Sequence, residues 1–258
     1  NFVYEREVAI RMVFIAGNDA LIFPGSTSPY PYTVTDACGL RPQNQTKIDA
    51  VIGNANYDIG HLFAMSSGGC ATFNSPCNGG SKAWGVTGTS NPVGDPFDID
   101  YVCHEMGHQF NGGHTWNGTL CDGYPGQWDG TSSYEPGSAT TIMGYAGICG
   151  AHNLQPNSDP YFHTRSFDQI VAYSTTGTGN SCPVTTATGN GVPSVNAGAN
   201  FTIPRSTPFI LTGSGSDPNS DPLTYCWEEF DLGPAGPPNV STTTGPIFRS
   251  FNPVTSPS

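Results

Sequence analysis

"HEMGHQFNGGH", residues 104–114, packs three histidines and a glutamate into eleven positions of a chain with six histidines in all. His104 and His108 stand four apart. On a helix of 3.6 residues per turn, that spacing sets both imidazoles on one face, where they can reach one cation. Glu105 is turned by roughly 100° from His104, so its carboxylate can lean over the open side of such an ion without binding it. That much also arises by chance on ordinary helices. The third histidine adds weight. A straight helix would carry His114 about 15 Å from His104, so the chain has to turn back. Asn111, Gly112 and Gly113 suit that turn, because Gly, and less readily Asn, accepts the left-handed backbone that ends a helix. Three neutral imidazoles leave a fourth tetrahedral position open, as catalytic zinc sites do; structural sites use four protein ligands.

The surrounding chain supports a folded, turn-rich protein. Of 258 residues, 36% are apolar and 11% aromatic, enough for a core, while only 11% are charged against roughly 25% in an ordinary soluble domain. Eight basic and twenty acidic residues give a net charge of −12. That argues against nucleic acid and against anionic membrane surfaces, both of which need a basic patch. No apolar run is long enough to insert into a membrane. The eight cysteines form no CxxC pair, and an even count in a lysine-poor, Gly- and Asn-rich chain fits disulfides in an oxidising compartment. Cys70–Cys77 and Cys121–Cys149 are two pairings that would close short loops, among about 105 connectivities. A secreted protein follows as the expectation.

Along the chain, "NFVYEREVAI" reads as the end of a helix, which implies at least one strand and most of a helix upstream. "VAIRMVFIA" reads as a buried strand by its β-branched density. Ile48, Val51 and Ile52 have helical spacing, followed by a turn and a short strand. "GGCATF" and "KAWGVTG" are further strands. Asp95 and Pro96 mark a helix start, and Phe167, Ile170 and Val171 lie on one face of a second helix. Past Cys182 the composition changes. Residues 1–184 read as an α+β domain and 185–192 as a linker. Residues 193–258 read as short strands of a partial immunoglobulin-like β-sandwich, shorter than the roughly 100 residues that fold uses.

Further on, "TTIMGYAG" sets Met143 in a tight turn ahead of Gly144 and Tyr145. HExxHxxGxxH followed by a methionine turn resembles the metzincin metalloproteases. "DYVCHEMGHQF" and "YEPGSATTIMGY" look most like the bacterial reprolysin-like (M12B-type) branch, over about Tyr57 to Tyr173. The resemblance implies a twisted mixed β-sheet with an active-site helix and a C-terminal helix. It implies that His104, His108 and His114 bind one Zn2+, that Glu105 is the general base of peptide hydrolysis, and that Met143 floors the site. It also implies that Gly69, Cys70, Ala71 and Thr72 form an edge strand for a protein or peptide substrate, with Gly69 and Ala71 letting it come close; a buried strand without that role is the alternative. Asn111 stands where the family has glycine, and Gly112 is a candidate to share the bend. Tyr145 stands where astacin- and serralysin-type relatives carry a zinc-binding tyrosine that swings to the oxyanion. It is read either as a transition-state stabiliser or as a packing residue.

The remaining candidates are weaker. His61 reads as a satisfied or supporting group, His152 and His163 as loop and helix-start residues, and Cys103 as pointing away from the histidines. Asp95, Asp98 and Asp100 offer a structural Ca2+ site or, more simply, a solvated face. Asn44, Asn117, Asn200 and Asn239 begin glycosylation sequons. Three functions compete: a secreted zinc endopeptidase, an extracellular adhesion protein whose sandwich does the work on a metzincin scaffold, and a zinc hydrolase acting on something other than peptide, which the methionine turn disfavours. An associated N-terminal fragment is an expected partner; the oligomeric state is not legible.

Overall fold

The computed structural model describes residues 1–23, 32, 36–65, 68–204, 206–240 and 245–257. They divide into two compact units, residues 1–183 with 228–250, and residues 184–227 with 251–258. Among the described residues no helix is long and apolar enough to cross a membrane.

The first unit is a mixed α+β assembly. Helix α1 (Phe2–Val8) buries Val3 and Tyr4 and ends at Ala9, whose φ of 53° is left-handed. Tyr4 packs between Phe110, tilted at 44°, and Phe162, edge-on at 72°, with ring centroids 5.7 and 5.3 Å away, and donates its hydroxyl proton to the Cys103 carbonyl at 2.8 Å. The strand expected over "VAIRMVFIA" is not formed. Val8 closes α1, and the residues after the left-handed Ala9 join no ladder among the described residues. Ile10 and Met12 pack on the core while Val13 and Phe14 stay exposed; β-branched density gives the alternation of a strand without its hydrogen bonds.

Helix α2 (Ala37–Val51) starts eight residues before the "QTKIDAV" segment that announced it. Asp36 caps it, accepting from the Gly39 N–H at 2.7 Å. Pro42 sits inside this helix and removes the donor owed to the Cys38 carbonyl; Arg41 Nε supplies one instead at 3.2 Å. Strands β1 (Leu62–Ala64), β2 (Gly68–Ala71) and β3 (Gly85–Gly88) form one mixed sheet in the order β1-β3-β2, with β1 parallel and β2 antiparallel to β3. β3 is buried along its length, and β2 is a free edge among the described residues.

The sheet is pinned to the helix that follows it. That helix runs through α3 (Asp95–Phe97), a π-helical turn (Asp98–Cys103) and α4 (His104–Gln109). Gly94, not Asp95, holds the cap position, and no side chain caps it. Gln109 at the end of α4 donates to the Gly60 carbonyl at 3.0 Å and to Ser75 Oγ at 3.2 Å. His61 donates from Nδ1 to Gln109 Oε1 at 2.7 Å and accepts at Nε2 from Thr87 at 2.8 Å. Burial pushes its pKa down to about 4, so it is a neutral tie between sheet and helix, as read from the sequence.

Helix α5 (Thr164–Thr175) buries Ser166, Ile170 and Tyr173. Phe167 turns outward and is 40% exposed, correcting the expected face: the buried stripe runs i, i+4, i+7 from Ser166. His163 caps α5, its Nδ1 accepting from the Arg165 N–H at 3.1 Å. Residues 228–250 return to this unit. Glu228 accepts from the Thr164 N–H at 2.7 Å and from Thr164 Oγ1 at 2.5 Å, Phe230 stacks on Tyr134 at 4.2 Å, and Asn117 donates to the Pro234 carbonyl at 3.0 Å.

Three disulfides close the chain: Cys38–Cys70, Cys77–Cys182 and Cys121–Cys149. The Cys121–Cys149 pairing matches the expectation. Cys70–Cys77 does not form, because Cys70 on β2 is bonded to Cys38 on α2, and Cys77 reaches the end of the unit instead. In the second unit, β4 (Ser194–Asn196) pairs antiparallel with β5 (Ser214–Ser216), and Tyr225 bridges Val254.

Candidate metal centre

The π turn ends at the first ligand, so His104 and His108 open α4 on one face with ring centroids 4.7 Å apart. The helix stops at Asn111, whose φ of 78° is left-handed. Asn111 N–H bonds to His108 O and Gly112 N–H to Gly107 O, both at 2.8 Å, which is the paired 5→2 and 6→1 closure of a Schellman stop. Gly112 does not share the left-handed bend; it and Gly113 contribute small size. A Cβ on Gly113 would lie 2.3 Å from Asp129 Oδ2. The reversal returns His114 to within 4.5 Å of the His108 ring and 5.2 Å of the His104 ring. The donor atoms of the three histidines all lie within 4.8 Å of one another, the one such group among the described residues.

Each ring is held by the main chain. His104 Nδ1 donates to the Ile142 carbonyl at 2.8 Å, His108 Nδ1 to Gly112 at 2.7 Å, and His114 Nδ1 to Gln127 at 2.6 Å. A carbonyl only accepts, so every proton sits on Nδ1 and every Nε2 keeps its lone pair. Burial, and then the neighbouring imidazoles, push all three pKa values down to about 3. His108 and His114 face each other Nε2 to Nε2 at 3.0 Å. Two bare lone pairs at that distance cannot hydrogen-bond to each other; a shared cation satisfies both. The donor set fits zinc.

Glu105 is buried, and its Oε2 has no hydrogen-bond partner. Burial pushes its carboxyl up to about 8, opposed by the charge of Arg41. It lies directly under β2, since a Cβ on Gly69 would fall 2.0 Å from Glu105 Oε1. Cys70 is tied back to α2 by its disulfide. Thr72 donates its N–H to the Trp84 carbonyl at 2.9 Å, which fixes the ladder phase, so the backbone groups of Gly69 and Ala71 point away from β3. Arg41 Nη1 donates to Thr72 Oγ1 at 2.7 Å and to the Ala71 carbonyl at 3.3 Å.

Met143 is fully buried against α4, where a Cβ on Gly107 would meet its Sδ at 2.4 Å. Residues 1–174 match the family model described as Metallo-peptidase family M12B Reprolysin-like. The chain belongs to the reprolysin-like M12B metallopeptidases. No curated protein and no solved structure matches it.

Tyr145 of this metallopeptidase lies with its ring 4.7 Å from that of His114 and 5.6 Å from that of His104, stacked on Trp116 at 5.1 Å. Burial and the charge of Glu105 push its pKa up. Cys103 carries a thiol outside any disulfide and packs on the core, apart from the histidine group. Asp95, Asp98 and Asp100 form no cation-holding group among the described residues; Asp100 is half-buried and accepts from the Ser158 N–H at 2.7 Å. Asn44 and Asn117 are 2% and 5% exposed, which removes both as glycan acceptors in the folded protein. Arg41, Gln127 and Glu135 escaped the sequence reading because no spacing connects them to the histidines.

Proposed function

We propose that this metallopeptidase is a secreted zinc endopeptidase with Glu105 as its general base. The observation that carries the reading is one juxtaposition: three neutral histidines whose Nε2 atoms converge on one point, beside a buried carboxyl with an unpartnered oxygen, under a strand with no outer ladder partner among the described residues. A zinc ion on those nitrogens supplies Lewis acidity, lowering the pKa of a water and polarising a carbonyl. Glu105 takes the proton of the attacking water and returns it to the leaving amine. Burial suits it to this, since a carboxylate poorer in solvent holds a proton more firmly. Tyr145, over His104 and His114, is the side chain that donates to the developing oxyanion. Gly69 and Ala71 offer outward backbone groups to an extended substrate, and the missing Cβ of Gly69 leaves Glu105 its place. The three disulfides support an oxidising compartment.

The experiment is cleavage of casein by wild type and Glu105→Ala at matched zinc content. Activity removed by a chelator, restored by zinc and lost in the variant supports the peptidase and the base together. Zinc binding by both proteins with cleavage by neither sinks the peptidase reading and brings the adhesion alternative forward.

A further inference from the structure

We infer that Glu135 is a positioning residue that clamps the supports of two zinc ligands at once, an inference that rests on the zinc reading above. Glu135 is 1% exposed, and its hydrogen bonds go to threonines. Its Oε1 accepts from the Thr140 N–H at 3.0 Å and its Oε2 from the Thr141 hydroxyl at 2.5 Å. Thr140 Oγ1 also lies 3.3 Å from Oε1 but 3.0 Å from the Ser250 carbonyl, so its single proton is divided between them. Thr141 is followed in the chain by Ile142, whose carbonyl orients His104, and then by Met143.

The backbone of Glu135 grips the other ligand. Its N–H donates to the Thr115 carbonyl at 2.9 Å, and it bridges Trp116 in parallel. Thr115 follows His114 directly, and its own N–H donates to the Met143 carbonyl at 3.1 Å. One residue therefore closes a ring: side chain to Thr140 and Thr141, chain to Ile142 and Met143, hydrogen bond to Thr115, and back to the Glu135 backbone. His104's acceptor and the segment carrying His114 are both members. Removing the carboxyl frees two buried donors of the turn, and the ring opens on the side that fixes the Ile142 carbonyl.

The test is zinc affinity, measured by chelator competition on folded protein, with the cobalt(II) absorption spectrum as a second readout. Glu135→Ala is expected to weaken zinc by ten- to a hundredfold, the usual effect of losing an outer support, and to change the cobalt spectrum. Glu135→Gln still accepts from Thr140, and its amide donates to Thr141 with the hydroxyl reversed, so it should stay within about threefold of wild type. Thr141→Val keeps the shape and deletes one bond; a weakening of several-fold is expected, and it carries the test if Glu135→Ala does not fold. Ile48→Ala, in a separate core cluster with Tyr57 and Ala83, is the stability control and should leave zinc affinity unchanged. The inference is overturned if Glu135→Ala, or Thr141→Val in its place, binds zinc like wild type, or if Ile48→Ala weakens zinc as much. A wild type that binds no zinc overturns the zinc reading and this inference together, whereas normal binding by wild type and Glu135→Ala overturns this one alone.

Discussion

Gly69→Ala separates the strand edge from the base beneath it. In an ordinary strand, exchanging Gly for Ala stabilises by about 0.4–1 kcal/mol, because the unfolded chain loses freedom. Gly69 has no left-handed φ that would oppose the exchange. The obstacle is Glu105: the new methyl would lie 2.0 Å from Oε1, 2.6 Å from Cδ and 2.9 Å from Cγ. Reaching ordinary contact needs a shift of about 1.4 Å in a buried carboxyl, and a misplacement near 1 Å costs a catalytic group about a hundredfold in rate. The variant is therefore expected to lose about a hundredfold in kcat/KM on a peptide substrate and about 1–3 kcal/mol of stability from overpacking. Zinc affinity should hold, since no histidine is touched. Gly68→Ala gives the opposite result: Gly68 has φ 74° and nothing within 4 Å of a new Cβ, so it loses about 1–2 kcal/mol of stability and keeps its activity. Wild-type kcat/KM in Gly69→Ala would refute the assignment of Glu105 to the chemistry or of β2 to its roof.

Three further outcomes follow from the geometry. Asn111→Gly relieves the left-handed φ of 78° and should raise stability by a few tenths of a kcal/mol, while Asn111→Ala should lose about 1 kcal/mol; equal melting temperatures would remove the strain argument. Burial pushes Asp100 up to about 6, against the Ser158 N–H that stabilises its anion, so the folded protein holds this proton more firmly than the unfolded chain. Its contribution is full below pH 4 and is lost as pH rises through about 6. Asp100→Asn should therefore gain stability relative to wild type across that window, by on the order of 1 kcal/mol after allowing for its solvent contact; a pH-independent difference in denaturant midpoint would count against it. A chain ended after residue 184 loses the Glu228 bonds to Thr164 and the Phe230–Tyr134 stack, worth about 3 kcal/mol together, and should melt lower than the full chain. An unchanged melting point would mean that 228–250 adds nothing to the first unit.

The histidine triad was legible because its ligands are close in sequence and their spacing is a helix property, and Asn111 marked the turn by its tolerance of positive φ. The start of α2 was not, because Pro42 removes a backbone donor inside it and the repair, an Arg41 side chain reaching back three residues to the Cys38 carbonyl, has no sequence signature. Residues 8–16 misled for a different reason: β-branched and apolar density reports a segment's tendency to be buried, and a ladder needs a neighbour that density does not encode. Cys70 found Cys38 because β2 lies on α2, a contact set by the sheet. Glu135 lies about twenty residues beyond His114 with no periodic relation to it, so its ring of bonds emerges only in three dimensions.

All three imidazoles rest on peptide carbonyls, at Ile142, Gly112 and Gln127. Every residue type carries such a group, so side-chain replacement at Ile142 or Gln127 leaves the acceptor in place, whereas at Gly112 a Cβ would lie 3.0 Å from the Gly107 carbonyl oxygen. The orientation of the triad is therefore buffered against much of the drift that would disable a carboxylate-supported site, and its weak points are changes in backbone path. The loop that carries Gln127 is constrained at Gly123, which has φ 74°, and at Trp128, which donates to Asn117 Oδ1 at 3.2 Å, while the group that holds His114 belongs to the backbone. Sequence variation around the mouth of the site and constancy of the metal geometry can coexist in one lineage for that reason.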